Sequence, residues 1–289
     1  MDSLVNVEWL KQHLNDPGLV VLDCTVSIEK NQAGQYEAVA GRAGYESGHI
    51  PTAGFADLMG ALVDTESEHR FAMPAPEEFT AAMRALGVDD GSKVVLYDSN
   101  GSIWAARVWW MLRWIGFDQA ALLDGGLKAW TDAGGSLSTE APTHELGNLT
   151  YNVRPELIVG QDEVLAAIDD DSVGLVDALT HSQYRGDSSH YGRPGHIPTA
   201  TNTPYSSLFD DSGHYRTPEE LATLFDAEQD TRVINYCGGG IAASATAFVM
   251  TRLGYTDVAV YTASLQEWAA DESKPLVTGS DPARPDVSG

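Results

Sequence analysis

Short apolar runs recur along the chain, each closed by a polar residue or a glycine. Val20–Asp23 (VVLD), Val94–Tyr97 (VVLY) and Ala120–Leu123 (AALL) fall in the first half; Gly174–Asp177 (GLVD), Arg232–Asn235 (RVIN) and Val258–Tyr261 (VAVY) fall in the second. Runs this short, without polar alternation, suit strands buried on both faces. Helical segments lie between them. Pro76–Leu86 and Thr217–Phe225 each open on proline and acids, which mark helix starts. Ala242–Leu253 reads as a helix that Gly254 can end. Strand and helix in alternation predict an α/β architecture, a parallel sheet covered by helices.

The pattern occurs twice. GHIPTA stands at Gly48–Ala53 and again at Gly195–Ala200. In the same order, VVLD precedes the first copy and GLVD the second, VVLYD (Val94–Asp98) answers VINYC (Val233–Cys237), and the segment ending at Trp130 answers the one ending at Trp268. Landmarks repeating in register indicate a duplication. The offset falls from 154 to 138 residues along the chain, so the first copy carries extra loop residues. We expect a first domain over 1–134, a linker over the polar, turn-rich stretch 135–153, and a second domain over 154–289.

The chemistry concentrates where the second copy departs from the first. Cys237 directly follows the run VINY and precedes Gly238, Gly239 and Gly240, after which a helix begins. Ligands of open α/β sheets bind outside the carboxyl ends of the strands. Glycines let the backbone curl and bring N–H groups inward, and the helix start adds positive potential. Such a cradle favours a thiolate and holds an anion bonded to it. The first copy has Asp98 at this position, which is no thiol nucleophile and would repel an anionic substrate. Cys24 also follows a strand but lacks the glycines and reads as structural. His49 and His196 occur in both copies. Duplication in a half without the cysteine favours a structural role for both.

Composition narrows the function. Of 289 residues 43% are hydrophobic, enough for packed cores, and no run reaches membrane-span length. The formal charge of -25 disfavours nucleic acid and anionic membranes as partners. Two cysteines and no CxxC exclude a disulfide scaffold, a cysteine-rich zinc site and a dithiol redox pair. No secretory leader is visible at the start, so a cytoplasmic protein is expected. A cysteine phosphatase would want an arginine six positions after its nucleophile, where this chain has Ala243.

Together, GHIP in both halves, RVWWMLRWIGF (Arg107–Phe117), LLDGGLKAW (Leu122–Trp130), GRPGHIP (Gly192–Pro198) and CGGGIAAS (Cys237–Ser244) resemble the tandem-domain rhodanese family of thiosulfate and 3-mercaptopyruvate sulfurtransferases. The resemblance covers nearly the whole chain. It implies two rhodanese-like domains, each a mainly parallel sheet flanked by helices, the first inactive and the second catalytic. It implies that Cys237 forms a persulfide from a small anionic sulfur donor and passes the sulfur to a thiol or cyanide. No cofactor and no metal are implied. Gly238, Gly239, Gly240, Ile241 and Ala242 would bind the substrate through the loop, and Arg185 and Arg193 would hold a donor carboxylate by their planar forks. A bland alternative for the arginines is a surface pair with an acid such as Asp187. Thiosulfate-type members carry cations just after the cysteine; here Gly238 and Gly239 stand there, which favours 3-mercaptopyruvate. The family's hydroxyl two residues after the cysteine is replaced by Gly239, its Asp-Gly-Ser-Trp by Thr262-Ala-Ser-Leu, and a customary arginine by Leu179. Tyr191 and Ser244 are further candidates for the pocket lining. The rival functions are a non-catalytic binding module and a persulfide carrier for a partner protein. A monomer or weak oligomer is expected.

Overall fold

The computed structural model describes residues 1–31, 34 and 36–280. The chain divides into two compact units. One comprises Met1–Ser67, Met73–Arg154 and Ser212–His214; the other comprises Glu68–Ala72, Pro155–Asp211 and the chain from Tyr215 onward. Among the described residues no helix is long and apolar enough to cross a membrane.

The first unit contains β1 (Leu4–Val5), β2 (Leu19–Asp23), β3 (Val26–Lys30), β4 (Tyr36–Ala40), β5 (Gly54–Phe55), β6 (Lys93–Tyr97) and β7 (Ala120–Leu123). Its main sheet has the order β1-β7-β6-β2-β5 and is parallel throughout. The second unit contains β8 (Ile158–Val159), β9 (Val173–Asp177), β10 (Thr201–Asn202), β11 (Arg232–Tyr236) and β12 (Val258–Tyr261), in the order β10-β9-β11-β12-β8, again all parallel. The six runs read from the sequence form the central three strands of each sheet. Their solvent-free faces explain the missing polar alternation. The short edge strands and the antiparallel β3–β4 hairpin carried no such signal.

Each sheet has its middle strand, β6 or β11, followed by a loop and a twelve-residue helix, Ile103–Trp114 or Ile241–Arg252. Both helices are buried along nearly their whole length, so neither presents a continuous polar stripe to solvent. Leu253 and Gly254, the latter at φ +93°, close the second helix as the sequence predicts. The helix expected over Thr217–Phe225 is shorter, Pro218–Ala222. Thr217 caps it by accepting the Glu220 N–H, and the tighter turns Thr223 N–H to Glu220 O and Leu224 N–H to Leu221 O end it.

Residues 135–153 are fastened to the first unit. Ser138 and His49 exchange backbone bonds, Gly147 N–H donates to Arg84 O, Asn152 N–H donates to Ile115 O, and Leu149 is buried.

The duplicated GHIP turn is a buried brace. His49 Nδ1–H donates to Tyr45 O, and His196 Nδ1–H donates to Tyr184 O, each at 2.8 Å. Each imidazole stacks on that same tyrosine, with centroids 4.0 and 3.6 Å apart. The next residue's N–H, from Ile50 or Ile197, donates to the hydroxyl of Tyr97 or Tyr236 at the end of the middle strand. Both histidines therefore hold the turn against the sheet, as their presence in both halves suggested.

Candidate active site

Cys237 leaves the carboxyl end of β11 and is buried. Its N–H donates to Ser264 Oγ at 3.1 Å, and Ser264 Oγ–H donates to Tyr261 O at 2.7 Å. Ser264 holds this position at φ +56°, a left-handed conformation costly for a residue with a side chain. The loop carbonyls are tied down as well. Cys237 O accepts from Leu265 N–H, Gly238 O from Gln266 N–H, and Gly240 O from Ser244 Oγ–H. The loop thus turns its carbonyls to fixed partners, while the first N–H groups of the following helix have no acceptor within the helix.

Each glycine has a separate reason. Gly240 takes φ +79° at the helix start. Gly238 is required by close approach: a Cβ there would run into Cζ and the hydroxyl of Tyr191. Gly239 faces the amide of Gln266, which exchanges two bonds with the backbone of Arg70, itself part of this unit.

The first unit shows what this architecture binds. Asp98, at the position of Cys237, is buried, and its carboxylate takes four backbone N–H groups. Oδ1 accepts from Asn100 and Ser102 at 2.7 and 2.9 Å; Oδ2 accepts from Trp104 and Ala105 at 3.0 and 2.9 Å. Burial pushes this carboxyl up while the amides oppose it. The backbone bond from Leu127 N–H to Asp98 O repeats that from Leu265 N–H to Cys237 O, both at 3.1 Å. Gly126, also at φ +56°, stands where the second unit has Ser264. A loop between middle strand and helix is thus an anion cradle, and in the first unit the chain supplies its own anion.

The other candidates separate clearly. Cys24 is fully buried, and burial followed by the nearby Asp23 and Asp98 pushes its thiol far up, so it stays protonated and unreactive. Arg185 donates from Nε and Nη2 to Asp187 Oδ2 at 2.9 and 2.6 Å, an exposed pair and the bland alternative raised above. Arg193 does not offer its guanidinium to a donor carboxylate. Nε, Nη1 and Nη2 go to the carbonyls of Ala269, Lys274, Trp268 and Asp271, because that turn needs its carbonyls satisfied. Ser244 is turned into its own helix, whereas Tyr191 lies on the loop. Ser264 and Gln266 are contacts that the sequence reading missed. The repeat held a hint, since Ser264 aligns with a glycine of Asp124-Gly-Gly.

Beside this site, burial pushes the Asp177 carboxyl up from 3.8 to about 7, against hydrogen bonds from Leu179 and Tyr236. A folded pKa above the unfolded one means that the Asp177 contribution to stability is fully present below about pH 4 and is lost as pH rises through about 7. Three units correspond to on the order of 4 kcal/mol. Asp177→Asn is expected to flatten the fall of Tm between pH 4 and 7; an unchanged slope would exclude Asp177 as its source.

A family model for the rhodanese-like domain matches residues 6–133 and 160–271. The chain is 33% identical to thiosulfate/3-mercaptopyruvate sulfurtransferase 2 of Arabidopsis thaliana, over 96% of this chain and 87% of that protein. It is 30% identical to a sulfur carrier protein of Thermus thermophilus, over 97% and 98% of the two chains. Among solved structures, the 3-mercaptopyruvate sulfotransferase SseA from Escherichia coli superposes with a TM-score of 0.81 at 29% identity, covering 91% of this chain and 99% of that one. With a cysteine loop on the middle strand of one sheet and its duplicate closed by aspartate in the other, the chain belongs to the rhodanese family and is a sulfurtransferase.

Proposed function

We propose that Cys237 is the nucleophile of a 3-mercaptopyruvate sulfurtransferase acting through a persulfide. The thiolate attacks the donor's sulfur, the carbon–sulfur bond breaks, and pyruvate departs as its enolate. A thiol or cyanide then attacks the outer sulfur and regenerates the cysteine. The covalent intermediate divides one transfer into two easier steps, and neither step calls for a metal or an organic cofactor. Gly238, Gly239, Gly240, Ile241 and Ala242 form the segment that receives the persulfide anion, by backbone N–H groups and the helix start.

The observation that carries this reading is the four-amide cradle around Asp98, which is the duplicate's version of the Cys237 loop. The preference for 3-mercaptopyruvate over thiosulfate rests on the neutral loop, since Gly238 has no room for a cationic side chain while Tyr191 sits on it. Arg185 is the better of the two arginines for the donor carboxylate. An exposed ion pair such as Arg185–Asp187 is worth little and exchanges readily.

A second reading, a persulfide carrier that hands sulfur to a partner protein, is favoured by the Thermus relative. Intact mass after brief incubation of the reduced protein with each donor tests both. Gain of one sulfur atom, faster from 3-mercaptopyruvate, is the expected result. No gain from either small donor would favour a carrier loaded by another protein.

A further inference from the structure

The persulfide chemistry above gives Tyr191 no role, yet its ring is seated on Gly238 so closely that no Cβ fits between them. A small cleft whose lining includes Gln183, Ser189, His190, Tyr191 and Arg193 lies beside it. Tyr45 and Tyr184 are equivalent, each stacked on its histidine, but Tyr184 stands twelve residues before His196 where Tyr45 stands four before His49, so the second copy carries eight extra residues here, in the stretch that holds Tyr191. The half without the cysteine therefore also lacks the phenol. Burial, then Cys237, Asp177 and Tyr205, push the Tyr191 pKa up to about 12, so in neutral solution the phenol keeps its proton.

We propose that Tyr191 is a catalytic proton donor in the first half-reaction, delivering its hydroxyl proton to the carbon fragment that leaves when Cys237 takes sulfur from 3-mercaptopyruvate. The proposal rests on the persulfide reading above. The Cys237 thiolate forms a bond to the donor's sulfur, and the carbon–sulfur bond breaks with its electron pair on the fragment, as pyruvate enolate. The Tyr191 proton goes to that fragment and gives pyruvate. The proton that the transferred sulfur carried as a thiol then returns to the phenolate, leaving the persulfide anion. Thiosulfate makes no such demand, because sulfite departs as a stable anion.

The two donors thus separate proton donation from mere packing. Single-turnover sulfur uptake by Tyr191→Phe, followed by intact mass, is expected to slow about a hundredfold with 3-mercaptopyruvate. The concentration dependence of that uptake should stay within about twofold, as should the rate from thiosulfate, or from inorganic polysulfide if thiosulfate does not react. Equal slowing with both donor types would make Tyr191 a packing residue and overturn the proposal. Unchanged rates with both would overturn it too. Failure of the wild type to gain sulfur from any small donor is a different outcome; it would remove the 3-mercaptopyruvate half-reaction, favour the carrier reading above, and overturn the proposal with it.

Discussion

Cys237→Ser is expected to reduce sulfur transfer by at least about a thousandfold with either donor, because a serine hydroxyl is not ionised at neutral pH and forms no persulfide. The variant should keep its fold. Oxygen is smaller than sulfur, and the loop is held by backbone bonds to Ser264, Leu265 and Gln266 that do not involve the side chain. Cys24→Ser provides the contrast. Its thiol is fully buried and kept protonated by its surroundings. Placing a hydroxyl there costs roughly 1–3 kcal/mol of stability and spares transfer per folded molecule. Transfer rates for the two variants, each normalised to folded protein by circular dichroism, make the comparison. Transfer lost on changing Cys24 and retained on changing Cys237 would sink the assignment of the site.

Asp98→Ala should destabilise the first unit by at least about 3 kcal/mol. Three buried N–H groups lose their acceptor at once, with the part-buried one of Asn100, and each buried unsatisfied donor costs about 1–3 kcal/mol. Asp98→Asn should cost roughly half of that, since its amide retains one oxygen and so serves two of the four donors. Urea unfolding of the three proteins reads the effect directly. A loss below about 1 kcal/mol for the alanine variant would mean that the cradle does not depend on an anion, and the main support for the persulfide site would go with it. Aspartate at this position, first read as a residue that would repel a substrate, is better understood as the occupant of the site.

The parts legible in the sequence are those encoded locally. The six buried strands announce themselves by continuous apolar runs, because a strand covered on both faces has no polar side to show. The cysteine loop is equally local: strand end, cysteine, three glycines and helix start are contiguous. Duplication added a control that a single domain lacks, exposing Asp98 as the counterpart of Cys237 and marking the histidines as structural.

Other features depend on partners far along the chain. Arg193 looked like a carboxylate binder, but its guanidinium serves carbonyls between Trp268 and Lys274. Gly238 looked like a turn glycine; its reason is the phenol of Tyr191, from a loop that precedes β10. Ser264 holds the N–H of Cys237 from 27 residues away. Periodicity and local spacing, which report on neighbours in the chain, determined the two sheets, the duplication and the place of the cysteine loop. Only tertiary packing decided which side chains meet the loop, because such contacts are set by how the strands and loops are brought together, and no local pattern records them.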